Sequence, residues 1–246
     1  CVYCMAEDMT FLPKAEILSL EELDRLCSAF VGMGVKKLRL TGGEPLVRRG
    51  IMQLFRSLSR HLKTGDLQEL TLTTNGSALV KQAEALREAG LRRLTVSLDS
   101  LDEATFRAMN DVDFPVEKVL DGIAAAANAG FSPVKINMVV RRGVNDHQIV
   151  EAARYWRDSG HILRFIEFMD VGSTNGWRMD DVISSREIID RIGAVHPLAP
   201  VEAHYTGEVA ERWRYTDGSG EIGVISSVTH AFCRDCTRAK IGRAHV

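Results

Sequence analysis

Lys36-Lys37-Leu38-Arg39-Leu40-Thr41-Gly42-Gly43-Glu44-Pro45 reads as a strand with its exit attached. Side chains alternate along a strand, so Lys37, Arg39 and Thr41 share one face while Leu38 and Leu40 share the other. Two glycines follow at once, where no Cβ keeps the backbone from approaching a ligand. A carboxylate comes next, and Pro45 fixes the way out of the turn. The same succession of strand, polar exit and amphipathic helix recurs down the chain. Strands are expected at 36–41, 69–74, 92–98, 134–140, 163–168 and, as a short piece, 195–198. Helices are expected at 20–33, 51–62, 78–89, 104–109, 116–129, 146–159 and 185–192. Ser19 and Glu22 form a capping-box signal, and Gly34, Gly90, Gly130 and Gly160 sit just past helix ends. Repeated βα units predict a parallel sheet covered by helices, and about six of them an open or partial barrel. Right-handed crossovers put the strand C-termini on one rim, where parallel barrels carry their chemistry. Gly42 to Pro45, Thr74-Asn75-Gly76, Asp99-Ser100, Arg141-Arg142 and Met169-Asp170 all fall there.

With 246 residues, 45% of them hydrophobic, the chain can bury one sizeable core, so one domain with an appendage is expected. A net charge of −2 gives no whole-protein electrostatic reason to bind nucleic acid or an anionic membrane. No apolar run approaches the roughly 20 residues that span a bilayer. Beyond 200 the pattern changes to short β-like pieces at 213–215 and 222–226 between glycine-rich turns. The expected division is therefore 1–200 for the barrel, 201–240 for a small C-terminal region, and 241–246 as a non-native tail. Those last six residues can be encoded by a stretch that matches a common sequencing adapter.

Four of the five cysteines form two pairs, Cys1-Val2-Tyr3-Cys4 and Cys233-Arg234-Asp235-Cys236. Too few for a disulfide scaffold at this length, they point to metal ligation in a reducing compartment, and the cytoplasm is the expected location. A Cys-x-x-Cys pair by itself is equally a zinc site or a redox pair. Cys27, between Leu23 and Phe30 on a helix, reads as a small core residue, and the seven histidines show no ligand spacing. Lys37, Arg39, Lys135 and Arg164 sit on strands. A cation inside a barrel is costly without a counter-ion, and a triphosphate would supply several negative charges that arginine forks match. The alternative is that these cations are solvated or paired with carboxylates such as Glu69 and Glu167.

Taken together, the cysteine pair with an aromatic before its second member, the Gly-Gly-Glu-Pro turn, Val96-Ser97-Leu98-Asp99-Ser100-Leu101-Asp102 and Arg164-Phe165-Ile166-Glu167-Phe168-Met169 resemble the radical S-adenosylmethionine enzymes. Within them the resemblance is to the GTP 3′,8-cyclase family of molybdenum-cofactor biosynthesis, and it runs from Cys1 to about Arg238. It implies an α/β fold, a partial (β/α)6 barrel with a small C-terminal cluster-binding appendage. Two 4Fe-4S clusters are implied, the first on Cys1 and Cys4 and the second on Cys233 and Cys236. S-adenosylmethionine is expected at Tyr3, Gly42, Gly43, Glu44, Pro45, Asn75, Ser97 and Met169. GTP is expected at Lys37, Arg39, Thr73, Lys135, Arg164, Arg238 and Lys240, where Lys240 replaces an arginine of the family and loses its bidentate fork.

The resemblance further implies an electron donor such as a flavodoxin or ferredoxin and a downstream cyclic pyranopterin synthase, and it admits a homodimer. The family holds its first cluster with Cys-x-x-x-Cys-x-x-Cys and its second with Cys-x-x-Cys and a later third cysteine. Because one ligand of each set is missing, the chain is expected to be an internal fragment, inactive by itself. The competing readings are a peptide-modifying radical enzyme with an auxiliary cluster, and a structural protein whose two pairs form a Cys4 zinc site.

Overall fold

A computed structural model describes residues 2–4, 12–170, 176–205 and 207–230. The backbone packs into two compact units. Of the described residues, one holds 12–97 and 117–134; the other holds 2–4, 98–116 and those from 135 to 230.

The first unit begins with α1 (Leu20–Gly32), whose capping box is complete: Ser19 Oγ accepts from the Glu22 N–H, and the Glu22 carboxylate accepts from the Ser19 N–H. Strands β1 (Lys37–Leu40), β2 (Glu69–Thr74) and β3 (Arg93–Ser97) lie parallel in that order, separated by α2 (Ile51–Thr64) and α3 (Leu79–Glu88). Their register fixes two unlike faces. Leu38, Leu70, Leu72, Leu94 and Val96 are buried on one, as parallel strands covered by helices require. The other carries Lys37 and Glu69 in one row, Arg39, Thr71 and Arg93 in the next, and Thr73, Thr95 and Ser97 in the rows beyond. Phe55 and Leu58 of α2, Leu79 and Leu86 of α3, and Val119, Ile123 and Ala126 of α5 (Val116–Asn128) complete the core.

The second unit contains α4 (Glu103–Asn110), β4 (Lys135–Val140), α6 (Ile149–Trp156), β5 (Ile162–Glu167), α7 (Ser185–Gly193), β6 (Leu198–Val201), β7 (Glu211–Tyr215) and β8 (Glu221–Ile225). β4 pairs parallel with β5, β5 parallel with β8, and β7 lies antiparallel between β8 and β6. In neither unit does the described sheet close on itself.

The expected bounds change at one strand and one helix. The strand expected at 195–198 forms at Leu198–Val201 and runs antiparallel; β8 takes the third parallel place in this unit. Pro200 explains part of this, since a residue without an N–H is tolerated on an edge strand, where β6 lies. In addition, β7 and β8, which the sequence sets apart beyond 200, are hydrogen-bonded into the same sheet as β5. The helix expected at 146–159 opens as a 3-10 turn at Asp146–Gln148 and ends at Trp156.

One contact in the first unit constrains the exit of β2. Gly76 has φ 81°, and its carbonyl oxygen would lie 2.7 Å from a Cβ placed on Gly122 of α5. The obstacle is backbone, which cannot rotate aside. Gly122→Ala is therefore expected to destabilise the protein by about 1–3 kcal/mol, read as a lower urea midpoint. Gly32→Ala, at a helical position with nothing within 4 Å, should leave the midpoint unchanged or raise it.

Candidate functional site

The Gly-Gly-Glu-Pro turn leaves β1 with Gly42 and Gly43 exposed, Glu44 half-buried and Pro45 buried. Glu44 is a cross-link between two strand exits. Its Oε1 accepts from the Leu46 N–H at 2.9 Å and from Thr74 Oγ1 at 2.7 Å, and its Oε2 accepts from the Asn75 N–H at 2.6 Å. Thr74 Oγ1 in turn accepts from the Gly76 N–H, and Asn75 Oδ1 from the Ser77 N–H. A carboxylate offers about four accepting positions, and among the described residues three of them are taken. Thr73 and Ser97 are half-buried on the polar face of the same sheet, and Asn75 is exposed beside Glu44.

In the second unit, residues 2–4 form a turn. Cys4 is exposed and its thiol is free, the soft donor that an iron–sulfur cluster takes. Tyr3 donates its hydroxyl to Asp99 Oδ2 at 2.5 Å, and the Val2 N–H bonds to the Met109 carbonyl at 3.1 Å. Asp99 is buried, and Oδ1 accepts from the Val139 N–H at 2.8 Å. Burial pushes the Asp99 carboxyl up to about 6, against the hydrogen bonds from Tyr3 and Val139 that favour its charged form. Burial and the Asp99 charge together raise the Tyr3 hydroxyl well above its ordinary 10. Met169 is half-buried just past β5.

The four strand cations divide between the units. Lys37 is paired with Glu69 at 2.7 Å, and Glu69 also takes Arg93 at 2.7 Å, so this carboxylate is the counter-ion foreseen as the alternative to phosphate. Arg39 is exposed on the same face as Lys37. Lys135 and Asn137 share a face of β4, and Asn137 lies opposite Arg164 of β5 in register. Arg164 is buried and lies across Gly223 of β8: a Cβ there would sit 3.1 Å from Arg164 Cγ. That glycine is what gives the arginine stem its channel.

Glu167, the other carboxylate considered as a partner for cations, is fully buried but takes backbone donors instead. It accepts from the N–H groups of Ser185, Val228 and Thr229, each at 2.8 Å, and from Thr229 Oγ1 at 2.5 Å. Cys1, Cys233, Cys236, Arg238 and Lys240 lie outside the described residues. The described residues contain no group of three or more His, Cys, Asp or Glu that could hold a metal. The sequence placed Asp99 on the rim and offered Glu167 as a counter-ion, but gave neither the part of accepting from backbone donors that the structure shows. Both stood in quoted motifs, and the available signal was a carboxylate at a strand end with no adjacent cation.

The radical SAM superfamily model matches residues 1–155, and the Molybdenum Cofactor Synthesis C model matches residues 161–243. The chain is 52% identical over 246 residues to a GTP 3′,8-cyclase of Acidothermus cellulolyticus, covering 98% of this chain and 67% of the relative. It is 50% identical over 245 residues to one from Xanthomonas campestris pv. campestris, covering 98% and 71%. This chain belongs to the GTP 3′,8-cyclase family of the radical SAM superfamily. Among solved structures it is similar to Streptococcus suis SuiB, with a TM-score of 0.59 at 18% identity over 74% of this chain and 41% of that one. It is also similar to anSMEcpe with bound AdoMet, with a TM-score of 0.60 at 17% identity over 79% and 55%. These two likenesses show the α/β fold. Family membership removes the Cys4 zinc module as a reading, and it brings S-adenosylmethionine and an iron–sulfur cluster as cofactors.

The Glu167 cluster has a measurable pH signature. Burial raises its carboxyl, but the hydrogen bonds from Thr229, Ser185 and Val228 outweigh it and leave the group below its ordinary 4.5. A depressed folded value means that this contribution to stability is present above pH 4.5 and is lost as the pH falls through the folded value. Glu167→Gln should lower stability at neutral pH by about 2 kcal/mol or more, because one acceptor is replaced by a donor facing donors. Its urea midpoint should also lose the part of the parent's acid dependence below pH 4.5 that belongs to this group.

Proposed function

We propose that this chain carries the catalytic machinery that converts GTP to 3′,8-cyclo-7,8-dihydroguanosine 5′-triphosphate, a lyase reaction and the first step of molybdenum-cofactor biosynthesis. The observation that carries this reading is that the two family models cover the same chain in succession. When bound, the cluster and S-adenosylmethionine would supply the one-electron chemistry that activates a ribose C–H bond of GTP, and the residues of this chain would hold them and the substrate.

Each set of residues has its own task. Cys1 and Cys4 hold the first cluster. Gly42, Gly43, Glu44 and Pro45, with Asn75, Ser97, Tyr3 and Met169, receive S-adenosylmethionine; the Glu44 carboxylate takes its ammonium. Lys37, Arg39, Lys135 and Arg164 bind the triphosphate, with Thr73 beside them. Lys37 then exchanges part of its pairing with Glu69 for phosphate, which Arg93 permits by keeping that carboxylate neutralised. Residues 201–240 carry the second 4Fe-4S cluster on Cys233 and Cys236, with Arg238 and Lys240 on GTP. The electron comes from a flavodoxin or ferredoxin, the product passes to a cyclic pyranopterin synthase, and the reaction belongs in the cytoplasm. No helix among the described residues is long and apolar enough to cross a membrane.

In a full-length protein, Arg39→Ala, Lys135→Ala and Arg164→Ala should each weaken GTP binding by about 1.5–3 kcal/mol while S-adenosylmethionine binding stays nearly unchanged. Titrations with GTP and with guanosine check this; equal losses for both would show that these cations do not read phosphate. Cys4→Ala should abolish formation of 5′-deoxyadenosine, whereas Cys236→Ala should leave some of it and stop cyclisation, because the base is then mispositioned. Anaerobic counting of deoxyadenosine and cyclised nucleotide separates the two. Cyclic product at the parent rate from the Cys236 variant would make the second pair structural.

A further inference from the structure

We infer that Asp99 is the positioning residue for the first cysteine turn, acting through the Tyr3 hydroxyl to hold Cys4 where the cluster binds. The inference rests on reading Cys4 as a cluster ligand and adds the residue that places it. Turn 2–4 is attached to the rest of its unit by two hydrogen bonds among those described. The Val2 N–H reaches the Met109 carbonyl at 3.1 Å, an ordinary backbone bond. The other runs from Tyr3 Oη to Asp99 Oδ2 at 2.5 Å, the length of a strong hydroxyl–carboxylate bond.

The acceptor is itself held rigidly. Asp99 is 2% exposed, and its second oxygen accepts from the Val139 N–H at 2.8 Å. Its carbonyl accepts from Asn145 Nδ2 at 2.8 Å, and the same Nδ2 reaches the Val139 carbonyl at 2.8 Å. Asn145 is fully buried, and its Oδ1 accepts from the Arg141 N–H. Asp99 is thus a fixed post tied to the end of β4 on two sides, and the tyrosine ring is the arm that reaches from it to the turn. Cys4 follows Tyr3 directly, so the tyrosine's position limits where the thiolate can stand. A tyrosine there is more than an aromatic surface for a ligand: phenylalanine would keep the ring and lose the arm.

The test uses full-length protein with its clusters reconstituted anaerobically. Three readings are taken: the rate at which a chelator strips iron, the EPR spectrum of the reduced cluster with and without S-adenosylmethionine, and the thermal midpoint. For Tyr3→Phe, which keeps the ring, we expect at least tenfold faster iron loss and a weakened or altered spectral response to S-adenosylmethionine, with the thermal midpoint close to the parent's. Asp99→Asn replaces the charge-assisted bond by a weaker amide–hydroxyl one and should shift the same readings by less, and the double variant should fall short of the sum of the two single effects. Parent-like iron loss and spectra in Tyr3→Phe overturn the inference, as do fully additive effects in the double variant. A parent protein that holds no cluster whose spectrum responds to S-adenosylmethionine would instead overturn the reading of Cys4 on which it stands.

Discussion

Backbone N–H groups left over where a parallel strand ends need acceptors, and in this protein carboxylates supply them. Glu44 beyond β1, Asp99 beyond β3 and Glu167 at the end of β5 each accept from main-chain donors of a neighbouring segment. A carboxylate suits this role because it accepts several bonds and charge-assisted bonds are the stronger kind. Each of these carboxylates ties one segment to another part of its own unit: the Gly-Gly-Glu-Pro turn to Asn75, the Tyr3 turn to Val139, and the segment at Val228 and Thr229 to β5.

The second organising feature is the division of each parallel sheet into an apolar and a polar face. Helices cover Leu70, Leu72, Leu94 and Val96, while Lys37, Arg39, Thr71 and Thr73 stand on the opposite side. Such a polar face is expensive in an ordinary core, because each cation must find a partner. Here Glu69 serves two cations, and the small hydroxyls of Thr71, Thr73 and Thr95 make few demands. The stem of Arg164 runs where Gly223 on the next strand has no side chain.

The parallel βα pattern was legible because it depends only on local periodicity and on end signals. Ser19 and Glu22 form their capping box, and Gly34, Gly90, Gly130 and Gly160 all take positive φ, as their places in the chain required. The short strand near 198 was misplaced because strand pairing beyond 200 is non-local. Nothing in the run at 195–198 reveals that β8, more than twenty residues later, will pair with β5, or that Pro200 will stand on an edge strand.

The sequence by itself determined the chemistry available: the soft cysteine donors, the Gly-Gly-Glu-Pro exit, the strand cations and the alternation that puts Lys37 with Arg39. These follow from covalent spacing and the two-residue period of a strand. Tertiary structure alone decided the partners. That Glu44 would spend its carboxylate on Thr74 and Asn75, that Glu167 would take backbone donors while Glu69 took the cations, and that Tyr3 would reach Asp99 across 96 residues all depend on which segments the fold brings together. A carboxylate's role is set by the nearest donor in space, and spacing along the chain does not encode it.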